Sequence, residues 1–227
     1  MTYSKRWLWL FAMIGASFAN AEPMKIVLVG DSTVAEGGGW GPGFRATLGD
    51  RAEVVNLALN GRSSKSFRDE GAWAAALTAK AAYILIQFGH NDVPGKGVDR
   101  ETEPESTYRA NMIRYVEEAR ASGATPILVT SIVRRNFTEE GKIIRDSLVP
   151  YVAQVRLLAS ENKILMIDLY SLTLEQSEKL GPTGCEDIGA RTAEGKLDTT
   201  HLSPKGQQEI GEMTAREFLR LVSSTQH

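Results

Sequence analysis

Five short apolar runs recur along the chain, each rich in β-branched side chains: Lys25–Val29, Glu53–Leu57, Tyr83–Phe88, Pro126–Thr130 and Ile164–Asp168. Their length and composition predict buried β-strands. Between them the apolar positions change period. In Pro104–Ser122, residues Tyr108, Met112, Tyr115, Val116 and Ala119 fall at i, i+3 and i+4 spacing, which predicts an amphipathic helix. Leu148–Ala159 and Pro204–Val222 follow the same rule. Two longer stretches, Val93–Glu103 and Gly181–Leu197, fit neither period and are expected to be loops.

Strands alternating with helices imply a parallel sheet covered on both faces. The expected fold class is α/β: a three-layer α/β/α sandwich with a flavodoxin-like five-stranded parallel sheet in the order 2-1-3-4-5. In such sheets ligands sit beyond the carboxyl ends of the strands, beside strand 1. Ser32 follows the first strand, Gly61 the second and Asn91 the third, so this order brings the three together.

The ends of the chain bear on where it works. Lys5-Arg6, the apolar stretch Trp7–Phe18 and the small-residue site Ala19-Asn20-Ala21 have the form of a secretory signal peptide. Residues 1–21 are therefore expected to be removed and residues 22–227 to form one catalytic domain, exported to the periplasm or the medium. An apolar run of about 12 residues is too short to span a bilayer, so no stable membrane anchor is expected after cleavage. Without Lys5 and Arg6 the chain has 24 bases against 28 acids, a net charge of −4. That balance argues against nucleic acid as a partner. Cys185 is the only cysteine, so no disulfide forms within the chain. With no histidine near it in sequence, it reads as a structural thiol rather than a nucleophile.

The candidate chemistry lies at the two ends of the domain. Asp198-Thr199-Thr200-His201 sets an acid and a histidine three residues apart, just before Ser203-Pro204, a strong helix start. The pair is expected to share one short loop feeding the last helix. Of the three histidines, His201 alone has an acid at such an offset. Ser32 is the candidate nucleophile, since a serine hydroxyl needs a neighbouring base to react. Gly61 offers a backbone N–H and Asn91 a side-chain amide to a developing oxyanion. Asp92 reads as a structural acceptor.

Gly30-Asp31-Ser32-Thr33, Gly61, Gly89-His90-Asn91-Asp92 and Asp198-Thr199-Thr200-His201 resemble the four blocks of the SGNH (GDSL-like) hydrolases, in order and spacing. Thr33, Gly39-Trp40-Gly41, the run Asn60–Phe67 and His201-Leu202-Ser203-Pro204-Lys205-Gly206 resemble the rhamnogalacturonan acetylesterase branch. The resemblance implies a serine esterase that needs no metal or other cofactor and deacetylates a pectic polysaccharide. It implies Ser32 as nucleophile, His201 as base, Asp198 as its orienting acid, and the N–H groups of Ser32 and Gly61 with the Asn91 amide as oxyanion hole. Arg62, Lys65 and Arg68 are candidates to meet sugar carboxylates at the cleft rim, against the alternative of a solvated helix face. Trp40 is a candidate to stack on a sugar, against a packing role.

Three other readings compete. A lysophospholipase or thioesterase would want an apolar channel for its acyl chain. A metal-dependent phosphoesterase would use Asp31, His90, Asn91 and His201, with fewer histidines than such centres usually have. A non-catalytic carbohydrate-binding domain would have no use for the full set of catalytic residue types. Gly37-Gly38-Gly39 lacks the G-K-[ST] ending of a phosphate-binding loop.

Overall fold

Five parallel strands form the centre of the molecule: β1 (Met24–Gly30), β2 (Ala52–Asn56), β3 (Tyr83–Gln87), β4 (Thr125–Val129) and β5 (Leu165–Ile167). Their order is β2-β1-β3-β4-β5, as the sequence predicts. The structure, a computed structural model, describes residues 24–224. The signal segment expected over residues 1–21 lies outside the described residues.

Alternation along β1 shows how the sheet is covered. Ile26 and Leu28 pack on one face with Trp40, Phe44 and Phe218. Val27 and Val29 pack on the other with Phe67, Phe88 and Tyr115. Successive side chains of a strand point to opposite faces, so a strand buried on both sides reads as a continuous apolar run. The first layer holds α1 (Gly41–Leu48) and α7 (Pro204–Ser224). The second holds the short α2 (Ser66–Asp69) and α3 (Trp73–Thr78), then α4 (Arg109–Ala121) and α5 (Val149–Glu161). Helices α1 and α7 touch backbone to backbone: a Cβ on Gly211 would lie 2.3 Å from the Phe44 nitrogen. Only glycine allows that approach, and it fixes the helix that follows His201.

Two expectations are corrected. Gly181–Leu197 is not a loop. Helix α6 spans Leu169–Ile188, broken at Gly181, which takes φ 69° and ψ 178°. Pro182 directly after it restarts the helix, a position where its missing N–H costs nothing. The chain then forms a hairpin of β6 (Gly189–Arg191) and β7 (Leu197–Leu202). Asp198 and His201 therefore lie on strand β7 rather than in a loop, with a register shift at Gly189/Ala190. The Val93–Glu103 stretch has no regular structure, in keeping with its pattern. Ser203 begins α7 as expected: its Oγ accepts from the Gly206 N–H at 3.2 Å and donates to the Asp187 carbonyl at 2.6 Å.

Candidate active site

Ser32 lies in the tight turn that leaves β1. The N–H groups of Val34 and Ala35 both donate to the Asp31 carbonyl at 3.1 Å. The Asp31 carboxylate accepts from the Thr33 N–H at 2.9 Å and the Thr33 hydroxyl at 2.6 Å. Gln87 Nε2 in turn donates to Thr33 Oγ1 at 2.6 Å, and Trp40 Nε1 donates to Gln87 Oε1 at 2.9 Å. This buried chain of hydrogen bonds fixes the turn beneath the serine. Burial pushes the Asp31 carboxyl above its usual range, against the lowering effect of its Thr33 partners.

The chain's two ends meet at this point. His201 Nε2 lies 2.8 Å from Ser32 Oγ, and His201 Nδ1 lies 2.7 Å from Asp198 Oδ2. Asp198 Oδ1 accepts from the N–H groups of Thr200 at 2.8 Å and His201 at 2.9 Å. Partial burial alone would raise the Asp198 carboxyl, but the hydrogen bonds from His201 and Thr200 outweigh it and hold the group below its ordinary value. Asp198 is thus an ionised acceptor at neutral pH, with Nδ1 of the imidazole held as its donor.

The neighbouring strand ends supply donors. The N–H groups of Ser32 and Gly61 bond to no acceptor among the described residues. Gly61 takes φ 76°, and a Cβ there would meet nothing closer than Arg100 Nη1 at 3.8 Å, so the backbone angle rather than space selects glycine. Asn91 Nδ2 donates to the Arg62 carbonyl at 3.1 Å, which orients its amide and leaves one N–H for the cleft. A cavity of about 230 Å³ opens over Ser32, Asn91, Asp198 and His201, and is walled further by His90, Lys96, Arg134 and Thr200.

Other candidates take different places. Trp40 is fully buried against Phe44 and Gln87, so it packs the core and cannot stack on a sugar. Arg68 does not reach the rim: its guanidinium pairs with Glu118 at 2.7 Å and covers the Tyr115 ring at 4.9 Å. Lys65 is engaged as well, its Nζ donating to the Val98 carbonyl at 2.8 Å. Arg62 pairs with Glu70 at 2.8 Å and borders a separate open groove with Glu36 and Asn60. Asp92 is a buried acceptor for Ser64 and Thr102, and burial raises its carboxyl to about 7. Cys185 is buried, its thiol aimed at the Ser177 carbonyl. His90 holds the Ile132 carbonyl through Nε2 at 3.1 Å, and burial keeps its ring neutral. Among the described residues no group of three or more His, Cys, Asp or Glu side chains comes together as a metal-dependent phosphoesterase would require.

One residue of this site carries no sequence signal. Arg135 is buried behind β7, where its guanidinium donates to the carbonyls of Thr200 at 3.4 Å, Asp198 at 3.1 Å and His201 at 2.6 Å. Its own N–H donates to the Thr199 carbonyl at 2.8 Å. A single side chain thus holds the whole Asp198–His201 segment. On the other side, the Leu202 N–H donates to the Gly38 carbonyl at 2.9 Å, and a Cβ on Gly38 would sit 3.3 Å from His201 Cβ. The Gly37–Gly39 run therefore lies against the histidine.

The chain is similar to known proteins in sequence and in fold. The family model described as GDSL-like Lipase/Acylhydrolase family matches residues 28–209. Rhamnogalacturonan acetylesterase RhgT of Bacillus subtilis (strain 168) is 33% identical over 211 residues, covering 86% of this chain and 89% of the relative. Among solved structures, Bacillus subtilis protein YXIM superposes with a TM-score of 0.72 at 26% identity, covering 87% of this chain and 56% of that one. Axe2, an acetylxylan esterase from Geobacillus stearothermophilus, gives 0.64 at 20% identity, with coverages of 88% and 94%; at that identity the likeness concerns the fold.

Proposed function

The chain belongs to the GDSL-like lipase/acylhydrolase family and is a carboxylic ester hydrolase; from that premise we propose that it removes acetyl groups from pectic rhamnogalacturonan through an acyl-enzyme on Ser32. The observation that carries the mechanism is the unbroken line from Ser32 Oγ to His201 Nε2 and from His201 Nδ1 to Asp198. His201 takes the serine proton as Oγ attacks the acetyl carbonyl. The resulting imidazolium is held by Asp198, and the oxyanion by the N–H groups of Ser32 and Gly61 and the Asn91 amide. Collapse expels the sugar alkoxide, which leaves with the proton from His201. Water then repeats the sequence on the acetyl-serine and releases acetate.

The cavity supports a small acyl group. Its walls, among the described residues, are polar or charged side chains, which suit a small acyl group better than a fatty chain. The relatives at 33% identity are named as an established and a probable rhamnogalacturonan acetylesterase, which supports the pectic substrate over xylan. Acetate release from acetylated rhamnogalacturonan, xylan, chitin oligomers and lysophospholipid tests this directly. A preference for xylan or lysophospholipid would overturn it. The apolar leader supports export with cleavage before Glu22, leaving residues 22–227 as one catalytic domain, and N-terminal sequencing of the exported protein tests that.

Two positions give separate tests of the mechanism. Asn91→Ala is expected to lower kcat by about 10²–10³-fold with little change in KM, because an oxyanion donor acts mainly in the transition state. Loss in KM alone would make Asn91 a substrate-binding residue. Arg135→Met removes the three carbonyl bonds behind β7, and small displacements of a catalytic group are costly. It should lower kcat by about 10–10²-fold, with KM nearly constant, in protein that still folds by circular dichroism. Wild-type kcat in Arg135→Met would show that the hairpin holds His201 without it.

A further inference from the structure

The cleft carries positive charge that the acyl-transfer chemistry does not use. Lys96 and Arg134 wall the same cavity as Ser32, Asn91 and His201. Lys96 stands in the irregular Val93–Glu103 stretch, whose backbone is fastened around it. The Gly97 N–H donates to Glu101 at 2.6 Å, the Thr102 N–H to the Asp92 carbonyl at 2.9 Å, and the Tyr151 hydroxyl to the Thr102 carbonyl at 2.6 Å. Lys96 is a half-buried residue whose ammonium has neither hydrogen bond nor ion pair with the described residues. Arg134 is held on the other wall by Asp146 at 2.7 Å and the His90 carbonyl at 3.3 Å. Burial above all holds His90 neutral at the floor of the cleft, with Arg134, His201 and Lys96 acting in the same direction. Asp198 is the only carboxylate in the cavity wall, and it is taken by His201 and two backbone N–H groups.

An ammonium without a protein partner, presented to the catalytic cleft by a fastened loop, is placed to meet an anionic group of the substrate. We propose that Lys96 and Arg134 form a carboxylate subsite, binding a uronate carboxylate of the acetylated backbone and so setting which acetyl group reaches Ser32. This rests on the pectic reading above and names the residues that read the acidic backbone, in place of Arg62, Lys65 and Arg68. Lys96 supplies a mobile point charge, and Arg134 a fixed planar one. Carboxylate bonds to such groups are charge-assisted and stronger than neutral ones.

The test compares acetate release from acetylated rhamnogalacturonan oligosaccharides before and after methyl esterification of their carboxyl groups. The readout is the ratio of kcat/KM on the acidic form to that on the esterified form. The wild type should favour the acidic form by about tenfold, equivalent to about 1.4 kcal/mol, and added salt should reduce the ratio. Lys96→Met should bring the ratio close to one, mainly through KM, and Lys96→Arg should restore it. Because Arg134→Gln alone would strand Asp146, it is read together with Asp146→Asn, and the double variant should also lower the ratio. A wild type indifferent to esterification, or a Lys96→Met variant with the wild-type ratio, would overturn the subsite. The pectic reading fails separately, if neutral acetylated xylan is preferred to both forms.

Discussion

Ser32→Ala is expected to yield a folded protein whose esterase kcat is lower by roughly 10³-fold or more, the scale on which removing a triad nucleophile acts. The fold should survive, because the serine side chain forms one hydrogen bond, to His201, and that bond lies at the open cleft. What holds the turn is Asp31, Thr33, Gln87 and Trp40, none of which depends on the Ser32 hydroxyl. Thermal melting should therefore stay close to wild type while acetate release collapses. An organophosphonate should label the wild type at Ser32, as read by peptide mass spectrometry, and should leave Ser32→Ala unlabelled. Turnover near wild type in Ser32→Ala, or an adduct elsewhere, would remove the acyl-enzyme from the mechanism.

What the sequence discloses here follows from locality. The inner strands β1, β3 and β4 are legible because they are buried on both faces for most of their length and so appear as apolar runs, and the partly exposed edge strands β2 and β5 still carry short apolar stretches. The catalytic set is legible because each member sits just past a strand end or within one short segment, where a few neighbouring residues define its place. Arg135 is not legible. Ile132-Val133-Arg134-Arg135 looks like any strand exit, and only the fold brings its second arginine under a segment more than 60 residues away. Trp40 and Arg68 mislead for a related reason: an aromatic ring or a cation near a motif has the same appearance whether it faces solvent or the core. The burial of Arg68 depends on Glu118 and Tyr115, both from another helix. Helix α6 is hidden by Gly181-Pro182, which usually ends a helix and here only breaks it. The β6–β7 hairpin is hidden because its strands are short and polar, half-exposed for most of their length, and lack the alternation that marks a buried sheet.

Asp198→Asn is the other change expected to be severe, with kcat lower by about 10³–10⁴-fold. Asp198 is held below the ordinary carboxylate range, so it stays ionised wherever an imidazole gains or loses its proton. Burial pushes His90 well below the usual histidine range, so it stays neutral there. His201 must be neutral to accept the Ser32 proton, so wild-type kcat/KM should fall on the acid side along a one-proton limb and level off above it. An amide in place of the carboxylate no longer holds the imidazole and its Nδ1–H as Asp198 does. The amide also allows the imidazole to turn its donor toward Ser32, which explains a loss far larger than one hydrogen bond. Both profiles are measured on a neutral acetyl ester, so that the Lys96–Arg134 charges do not enter. Wild-type kcat in Asp198→Asn across the pH range would mean that another acid orients His201. None other does so among the described residues, for the two oxygens of Asp198 hold both the ring and the backbone of the histidine.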